Sequence, residues 1–361
     1  MYHDVSLPAP RQLAVRAASA GIAIVGILLV TALMLRALGY PALDALGALW
    51  RGSLGSWYAL TSATLVRAIP LMLAGGAVAV AFKAGVWNIG AEGQLLLGAT
   101  AAMTVSLALP GGGLLVTMVA MCAGALAGAS WAGIAALLRR RFSVLEVIST
   151  IMLNFIALNL VSYLVRGPLQ EPTHAYPQTI AVPDAEHLPR IPGGGRLHAG
   201  LLIALAALAV AGWVLRYTAA GFRVLAVGES PAAAASAGLI DAEQVQFRVM
   251  LWSGALAGLA GAIEVFGVTF ALYEDLSPGY GYTAIAVALL AGLDPWLAAL
   301  SALGFAALEA GAGAMQRDAG VPSTLASVVE ALVILCVISV QGRRMLERFL
   351  PARAVPRESP S

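Results

Sequence analysis

The stretch ALTSATLVRAIPLMLAGGAVAVAF, from Ala59 to Phe82, is apolar over almost its whole length, with Arg67 as its one charged residue. As a helix rising about 1.5 Å per residue it is long enough to cross the roughly 30 Å hydrocarbon layer of a bilayer. Runs of the same kind recur on either side of it, so lipid is the solvent for most of the chain. Composition agrees, since 60% of the 361 residues are hydrophobic and 11% are charged, against about 25% charged in a soluble domain. In lipid every backbone N–H and C=O needs an internal partner, which leaves helices or a closed barrel. The runs are continuous rather than alternating, so the expected fold is all-α and polytopic.

Working outward, spans are expected at Leu13–Leu38, Ala59–Phe82, Ile89–Leu109, Leu114–Leu138 and Val144–Val165. A second set follows at Ala199–Leu215, Val245–Phe270, Tyr282–Leu293, Trp296–Met315 and Thr324–Val340. That makes about ten crossings at the usual span length. An even count puts both termini on one side. The arginine excess, concentrated in Arg139-Arg140-Arg141 and in Arg343, Arg344 and Arg348, makes that side cytoplasmic. Residues 1–12 and 342–361 are then cytoplasmic ends of a membrane domain over 13–341. Within it, 166–198 forms an extracytoplasmic loop and 217–245 a cytoplasmic one. Arg11 and Arg16 precede an apolar run too long for a cleaved signal, which is read as a retained first helix.

Several functions are excluded or left without support. A net charge of +2 gives no basic face for nucleic acid. The single lysine, Lys83, lies between Phe82 and Ala84, so no G-x-x-x-x-G-K-[ST] phosphate loop exists and any ATP must be hydrolysed by another polypeptide. No G-x-S-x-G, H-E-x-x-H or C-x-x-C pattern supports an enzyme. Cys122 and Cys336 sit in apolar runs and read as small buried hydrophobes. His174, His187 and His198 are scattered through a Pro- and Gly-rich surface loop without metal-ligand spacing.

Two apolar segments are interrupted, one in each half. Ala84-Gly85-Val86-Trp87-Asn88-Ile89-Gly90-Ala91-Glu92-Gly93-Gln94 breaks the first, and Tyr282–Leu293, too short to span and followed by Pro295, marks the second. Broken backbone at membrane depth persists beside a cavity or buried protein, so these breaks point to a transport route and suggest a duplicated architecture. Trp87, Asn88, Glu92 and Gln94 either line that route or belong to a cytoplasmic hairpin with Glu92 in headgroup water; spacing leaves both open. Glu146, Ser149, Thr150 and Asn154 stand at offsets 0, 3, 4 and 8, on one helix face that lines a cavity or bonds a neighbouring helix. Glu264 is a further carboxylate within a span. On the inside loop, Ser230 as cap, Pro231 at the first turn, an alanine run and Gly238 at the end define a short solvent-side helix suited to docking on a partner.

Pro70-Leu71-Met72-Leu73-Ala74-Gly75 leading to Asn88-Ile89-Gly90-Ala91-Glu92-Gly93-Gln94 closely resembles the signature of nucleoside and simple-sugar permeases of ATP-binding-cassette importers. Glu146-Val147-Ile148-Ser149-Thr150-Ile151-Met152-Leu153-Asn154 is similar to the nucleoside branch. Residues 218–240 resemble the loop by which that family contacts its ATPase, and Ile285–Leu290 its second-half motif. Thr283 and Ala284 replace the usual acidic residue and glycine, and Gly228-Glu229-Ser230-Pro231 departs from the usual Gly-Asn-Pro. The resemblance implies a transmembrane permease subunit for nucleosides, with simple sugars as the alternative substrate class and an ion-coupled secondary transporter as the rival mechanism. It implies ATP and Mg held by a partner ATPase subunit rather than by this chain, a second permease subunit, and an extracytoplasmic solute-binding protein or lipoprotein, all at a bacterial inner membrane. The residues it places on the substrate pathway are Trp87, Asn88, Glu92, Gln94, Glu146, Ser149, Thr150 and Asn154. Those it assigns to ATPase coupling are Gly221, Arg223, Gly228, Glu229, Ser230, Pro231 and Gly238.

Overall fold

The computed structural model describes residues 29–236, 241–322, 324, 325, 327, 328 and 331. Among them all regular structure is helical, apart from two isolated bridges, Gln178 to Tyr273 and Arg190 to His198. After a helical segment at 29–37, the helices are α1 (Ala42–Ser53), α2 (Trp57–Lys83), α3 (Ala91–Ala108), α4 (Leu114–Phe142), α5 (Glu146–Val165) and α6 (Gly200–Tyr217). They continue as α7 (Ala219–Glu229), α8 (Pro231–Ser236), α9 (Ala242–Thr269), α10 (Tyr280–Leu290) and α11 (Pro295–Ala319). Two of them contain a π turn, Leu60–Thr64 near the start of α2 and Val265–Thr269 at the end of α9.

Each expected span from Ala59 to Met315 has a helix over it. The spans expected at Leu13–Leu38 and Thr324–Val340 lie largely outside the described residues. Six of the described helices are long and apolar enough to cross a membrane, namely α2, α4, α5, α6, α9 and α11. The count of ten is therefore not reached among the described residues. The polar first turn of α3, with Glu92 and Gln94, dilutes its apolarity, and α10 has 11 residues. Two helices were not expected. Residues 42–53 lie between two expected spans, and 219–229 lie in the segment read as a cytoplasmic loop.

Helix boundaries follow local chemistry. Ser56 accepts the Ala59 N–H at the start of α2, Thr218 the Gly221 N–H at α7, and Asp241 the Gln244 N–H at α9. Asp294 accepts from Trp296 N–H, and Pro295, which has no N–H to satisfy, opens α11. At the end of α4, Arg139, Arg140 and Arg141 lie where the helix dipole favours cations, and Ser143 turns the chain with φ +54°.

The described residues fall into two compact units, one made of those within 1–49 and 312–361 and the other of those within 50–311. In the first, Leu35, Ala45, Ala48, Met315 and Val321 make a small core. In the second, α2 and α9 are central: 83% and 72% of their apolar windows are buried, against 28% in each of α4, α5 and α6. Leu115, Leu126, Met152, Phe155 and Trp213 on those outer helices are exposed, which suits contact with lipid or another subunit. Cys122 is also exposed, on α4, which corrects its reading as a buried hydrophobe; Cys336 is outside the described residues. Close approach at the centre depends on small residues. A Cβ on Gly98, Gly128 or Gly258 would strike the backbone of a neighbouring helix, so α3, α4 and α9 meet backbone to backbone.

Candidate translocation site

The first-half break is buried rather than superficial. After Lys83 the chain turns at Gly85, φ +70°, and re-enters helix at Ala91. Asn154, in the third turn of α5 and about 12 Å along its axis, holds the start of α3 with both ends of its amide. Its Oδ1 accepts the Gly93 N–H at 2.9 Å, and its Nδ2 donates to the Ile89 carbonyl at 2.9 Å. Glu92 therefore does not lie in headgroup water. It is 4% exposed and its Oε2 accepts the Gly281 N–H at 2.6 Å, with Ser277 as a second hydrogen-bond partner.

That contact joins the two breaks. Gly281 is in the first turn of α10, and a Cβ there would strike the Glu92 backbone, so the N-termini of α3 and α10 abut. A carboxylate between two helix N-termini sits where unpaired N–H groups and both dipoles favour it. Ser277 completes the α10 start by accepting the Gly279 and Tyr280 N–H groups at 3.2 and 3.1 Å.

Asn88 and Gln94 pair reciprocally, Asn88 Nδ2 to Gln94 Oε1 at 3.0 Å and Gln94 Nε2 to Asn88 Oδ1 at 2.9 Å. Asn88 Oδ1 also accepts the Gly90 N–H, and its Nδ2 donates to Ser253 Oγ at 2.7 Å. Ser253 donates onward to the Ala77 carbonyl at 2.7 Å, which ties the break to α9 and α2. Sequence reasoning did not single out Ser253; a serine among the small residues of an apolar helix reads as packing.

Nearer the arginine-rich end, Arg139 Nη1 meets Glu146 Oε1 at 3.0 Å and Arg139 Nη2 donates to Gln246 Oε1 at 3.0 Å. Gln246 Nε2 donates to the Ala84 carbonyl at 3.2 Å, and Glu146 accepts the Trp87 N–H at 3.4 Å. A cavity of about 470 Å³ opens here, lined among others by Trp87, Arg139, Arg140, Glu146, Gln246 and Phe247. Of the expected pathway residues, Trp87 and Glu146 line it. Asn88, Glu92, Gln94 and Asn154 form the buried lattice described above. Thr150 and Ser149 hydroxyls bond back to the Glu146 carbonyl at 2.6 and 3.2 Å. The polar face of α5 thus bonds neighbours and its own backbone, with Glu146 as its one member on the cavity.

The residues expected to couple to an ATPase divide between two faces. On α7, Gly221 and Val224 are buried and Gly228 abuts the end of α2, while Arg223 and Glu229 are exposed. Phe222, next to Arg223, and Tyr217, at the end of α6, are also exposed. Ser230 Oγ accepts the Ala233 N–H at 3.2 Å and Pro231 opens α8, as the cap reading expected. The loop reading is corrected over 219–229, which are helical and capped by Thr218, with Gly221 and Gly228, seven residues apart, on the one face where a side chain would not fit. Gly238 lies outside the described residues.

At the opposite end, residues 166–198 are more than a surface loop. Thr179, Val182 and Leu188 donate their N–H groups to the Leu272, Phe270 and Phe266 carbonyls at 2.9, 2.7 and 2.9 Å. Arg196 N–H donates to Ser62 Oγ at 3.2 Å, and Trp57 Nε1 to the Gly193 carbonyl at 2.9 Å. The segment therefore straps both π turns, one from each half. Partners so far away along the chain leave no local signal, which is why the strap was not anticipated. Arg166 meets Glu274 at 2.6 Å and Ser162 also donates to that carboxylate; these hydrogen bonds, Arg166 first, hold Glu274 below the usual carboxylate range. His198 is 1% exposed, contrary to the surface reading, with Nδ1 accepting the Gly200 N–H and Nε2 without a hydrogen-bond partner among the described residues. Burial, and then nearby Arg196, push its pKa down to about 4.

A bundle of membrane-length apolar helices packed round buried backbone breaks defines an integral membrane protein of the permease class. Residues 60–338 match the family described as branched-chain amino acid transport system / permease component, and the chain belongs to that family. Among similar proteins is the glucose ABC transporter permease protein of Haloferax volcanii, 42% identical over 84% of this chain and 82% of the relative. The guanosine ABC transporter permease protein of Bacillus subtilis is 37% identical over 87% and 91%. The nucleoside ABC transporter permease protein of Lactococcus lactis subsp. cremoris is 32% identical over 88% and 89%. Each of those three organisms also has a second matching protein with a permease name, at 28%, 26% and 26% identity.

Proposed function

We propose that the chain forms the translocation pathway for nucleosides in an importer whose ATP, with Mg, is bound and hydrolysed by a separate subunit. The observation that carries the nucleoside reading is the clamp of Asn154 on the Ile89–Gly93 turn. It joins the stretch that resembles nucleoside and simple-sugar permeases to the one that is similar to the nucleoside branch, and the guanosine and nucleoside relatives support it. Both termini are cytoplasmic on this reading, so the arginine-rich end faces the cytoplasm of a bacterial inner membrane. The exposed face of α7 and α8 then meets the ATPase. The strap over the π turns faces a solute-binding protein or lipoprotein outside. Paired matches in each of three organisms support a second, unlike permease subunit.

A simple sugar is the second reading, favoured by the 42% identity to a glucose permease. Uptake of labelled nucleosides and of labelled glucose and ribose, in cells with and without this subunit, separates the two. Loss of nucleoside uptake on deletion, restored by the gene in trans, is expected. Loss of sugar uptake alone would transfer the assignment to sugars, and unchanged uptake of every solute would remove both.

A further inference from the structure

We propose that the cleft between the ends of α2, α6 and α11 binds the phosphate of an anionic phospholipid, with Lys83 as its charge-selecting residue. Lipid binding there does not depend on which solute is carried. The cleft is small, about 110 Å³, and is lined among others by Lys83, Gly212, Arg216, Leu225, Asp294 and Trp296. At about 30 Å³ for each water molecule it has room for roughly three or four waters, and so for the oxygens of one phosphate group. Lys83 is the single lysine of the chain and the last residue of α2. It is half-buried, and its ammonium has neither an acidic partner nor a hydrogen bond among the described residues, whose ion pairs engage Arg139, Arg166, His187 and Arg216 instead. A half-buried charge without a partner is costly in a membrane and favours an anion beside it.

The surroundings keep the cleft positive. Arg216 Nη2 meets Asp294 Oδ2 at 3.4 Å, and Asp294 Oδ1 accepts the Trp296 N–H at 2.9 Å, so the carboxylate of the cleft is already shared between a guanidinium and the start of α11. Two cations then face one carboxylate, and the N-terminus of α11 adds its partial positive charge. The indole of Trp296 lies against Gly212, where a Cβ would strike it, and its Nε1–H has no acceptor among the described residues. The mouth of the cleft suits lipid rather than water. Trp213, Tyr217 and Trp296 are exposed at this end, and Trp and Tyr collect at headgroup level. From Arg216, exposed Val210, Leu205 and Leu202 lead along α6 for about 20 Å. Exposed Leu297 and Leu300 follow on α11, which gives acyl chains an apolar track away from the charge. This is the arginine-rich end, so on the orientation proposed above the lipid comes from the cytoplasmic leaflet, whose anionic headgroups attract basic residues.

The test is native mass spectrometry, from mild detergent, of the full chain alone and with its co-purified partners, titrated with phosphatidylglycerol and phosphatidylcholine of the same acyl chains. The parent is expected to retain one phosphatidylglycerol in preference to phosphatidylcholine. Lys83→Gln should lower that preference about fivefold, the usual weight of one basic residue beside anionic lipid. Leu225→Glu, which sets a carboxylate at the half-exposed rim without emptying the cleft, should do the same and serves if Lys83→Gln does not accumulate. Arg190→Gln, an identical change of charge on the exposed strap at the opposite end, should leave the preference intact. Equal retention of both lipids by the parent, or a preference that persists in both variants of the cleft, overturns the proposal. So does an equal loss in Arg190→Gln, which reports net charge alone, or displacement of the lipid by inorganic phosphate at the same concentration, which assigns the cleft to a soluble anion. A lipid held by the chain alone yet missing once its partners are bound means that a protein covers the cleft, and this also overturns it.

Discussion

Asn154 carries a share of the fold out of proportion to its size. It is 2% exposed and satisfies one donor and one acceptor at the buried start of α3. Asn154→Leu keeps the volume and removes both bonds, and with about 1 to 3 kcal/mol for each buried group left unpaired the expected loss is about 3 kcal/mol, read as a lowered midpoint of unfolding in mild detergent. An unchanged midpoint would mean that the clamp is not needed. His198 gives a pH dependence of defined sign. Its folded pKa of about 4 lies below the ordinary value of 6.5, so the unfolded chain binds more protons between those limits. Stability is expected to rise with pH across that window, by no more than about 3 kcal/mol, and to be flat above it. His198→Asn, which keeps an acceptor for the Gly200 N–H, should lose that slope; a slope that survives assigns it to other groups. The carboxylates and amides of this site were visible in the sequence as polar residues in apolar runs. Their partners were not, because Glu92 to Gly281 and Asn88 to Ser253 are contacts made only by the fold.

Among the elements, glycine marks where helices touch, and two of its positions can be set against each other. A Cβ at Gly258 would strike the backbone of α4 near Gly124 and Gly128, whereas Gly304 of α11 has nothing within 4 Å. Gly258→Ala is therefore expected to lower the thermal midpoint by several degrees, an effect on the order of 1 to 3 kcal/mol from overpacking. Gly304→Ala should leave it unchanged or raise it slightly through better helix propensity. Equal effects of the two would show that α3, α4 and α9 are not packed backbone to backbone. On α7, Arg223→Glu reverses a charge on the exposed face without touching the inner one, and it should reduce the ATPase retained on purification while leaving the thermal midpoint of this chain within about 0.5 kcal/mol of its parent. Length and apolarity made the spanning helices legible, and Ser230-Pro231 made the start of α8 legible. Helix α7 was hidden because a glycine that admits a neighbouring backbone and a glycine that ends a helix are the same letter. The strap over residues 166–198 was hidden because extended chain that pairs with distant carbonyls has no periodicity of its own.

At the scale of the whole molecule, the two breaks predicted from composition meet at Glu92 and Gly281, which binds the halves of the bundle to one centre. The arginine-rich end offers a cavity and a capped helical knob, and the opposite end a strap across both π turns. The sequence contains no phosphate loop, since its single lysine is Lys83. The central claim is that transport is driven by another chain's nucleotide cycle. Its most direct measurement is uptake of labelled nucleoside into proteoliposomes containing this chain alone, or this chain with its co-purified partners and binding protein, with ATP or a proton gradient supplied separately. The account predicts uptake only with the partners and ATP, insensitive to a protonophore. Uptake by the chain alone, driven by the gradient and abolished by the protonophore, would contradict it.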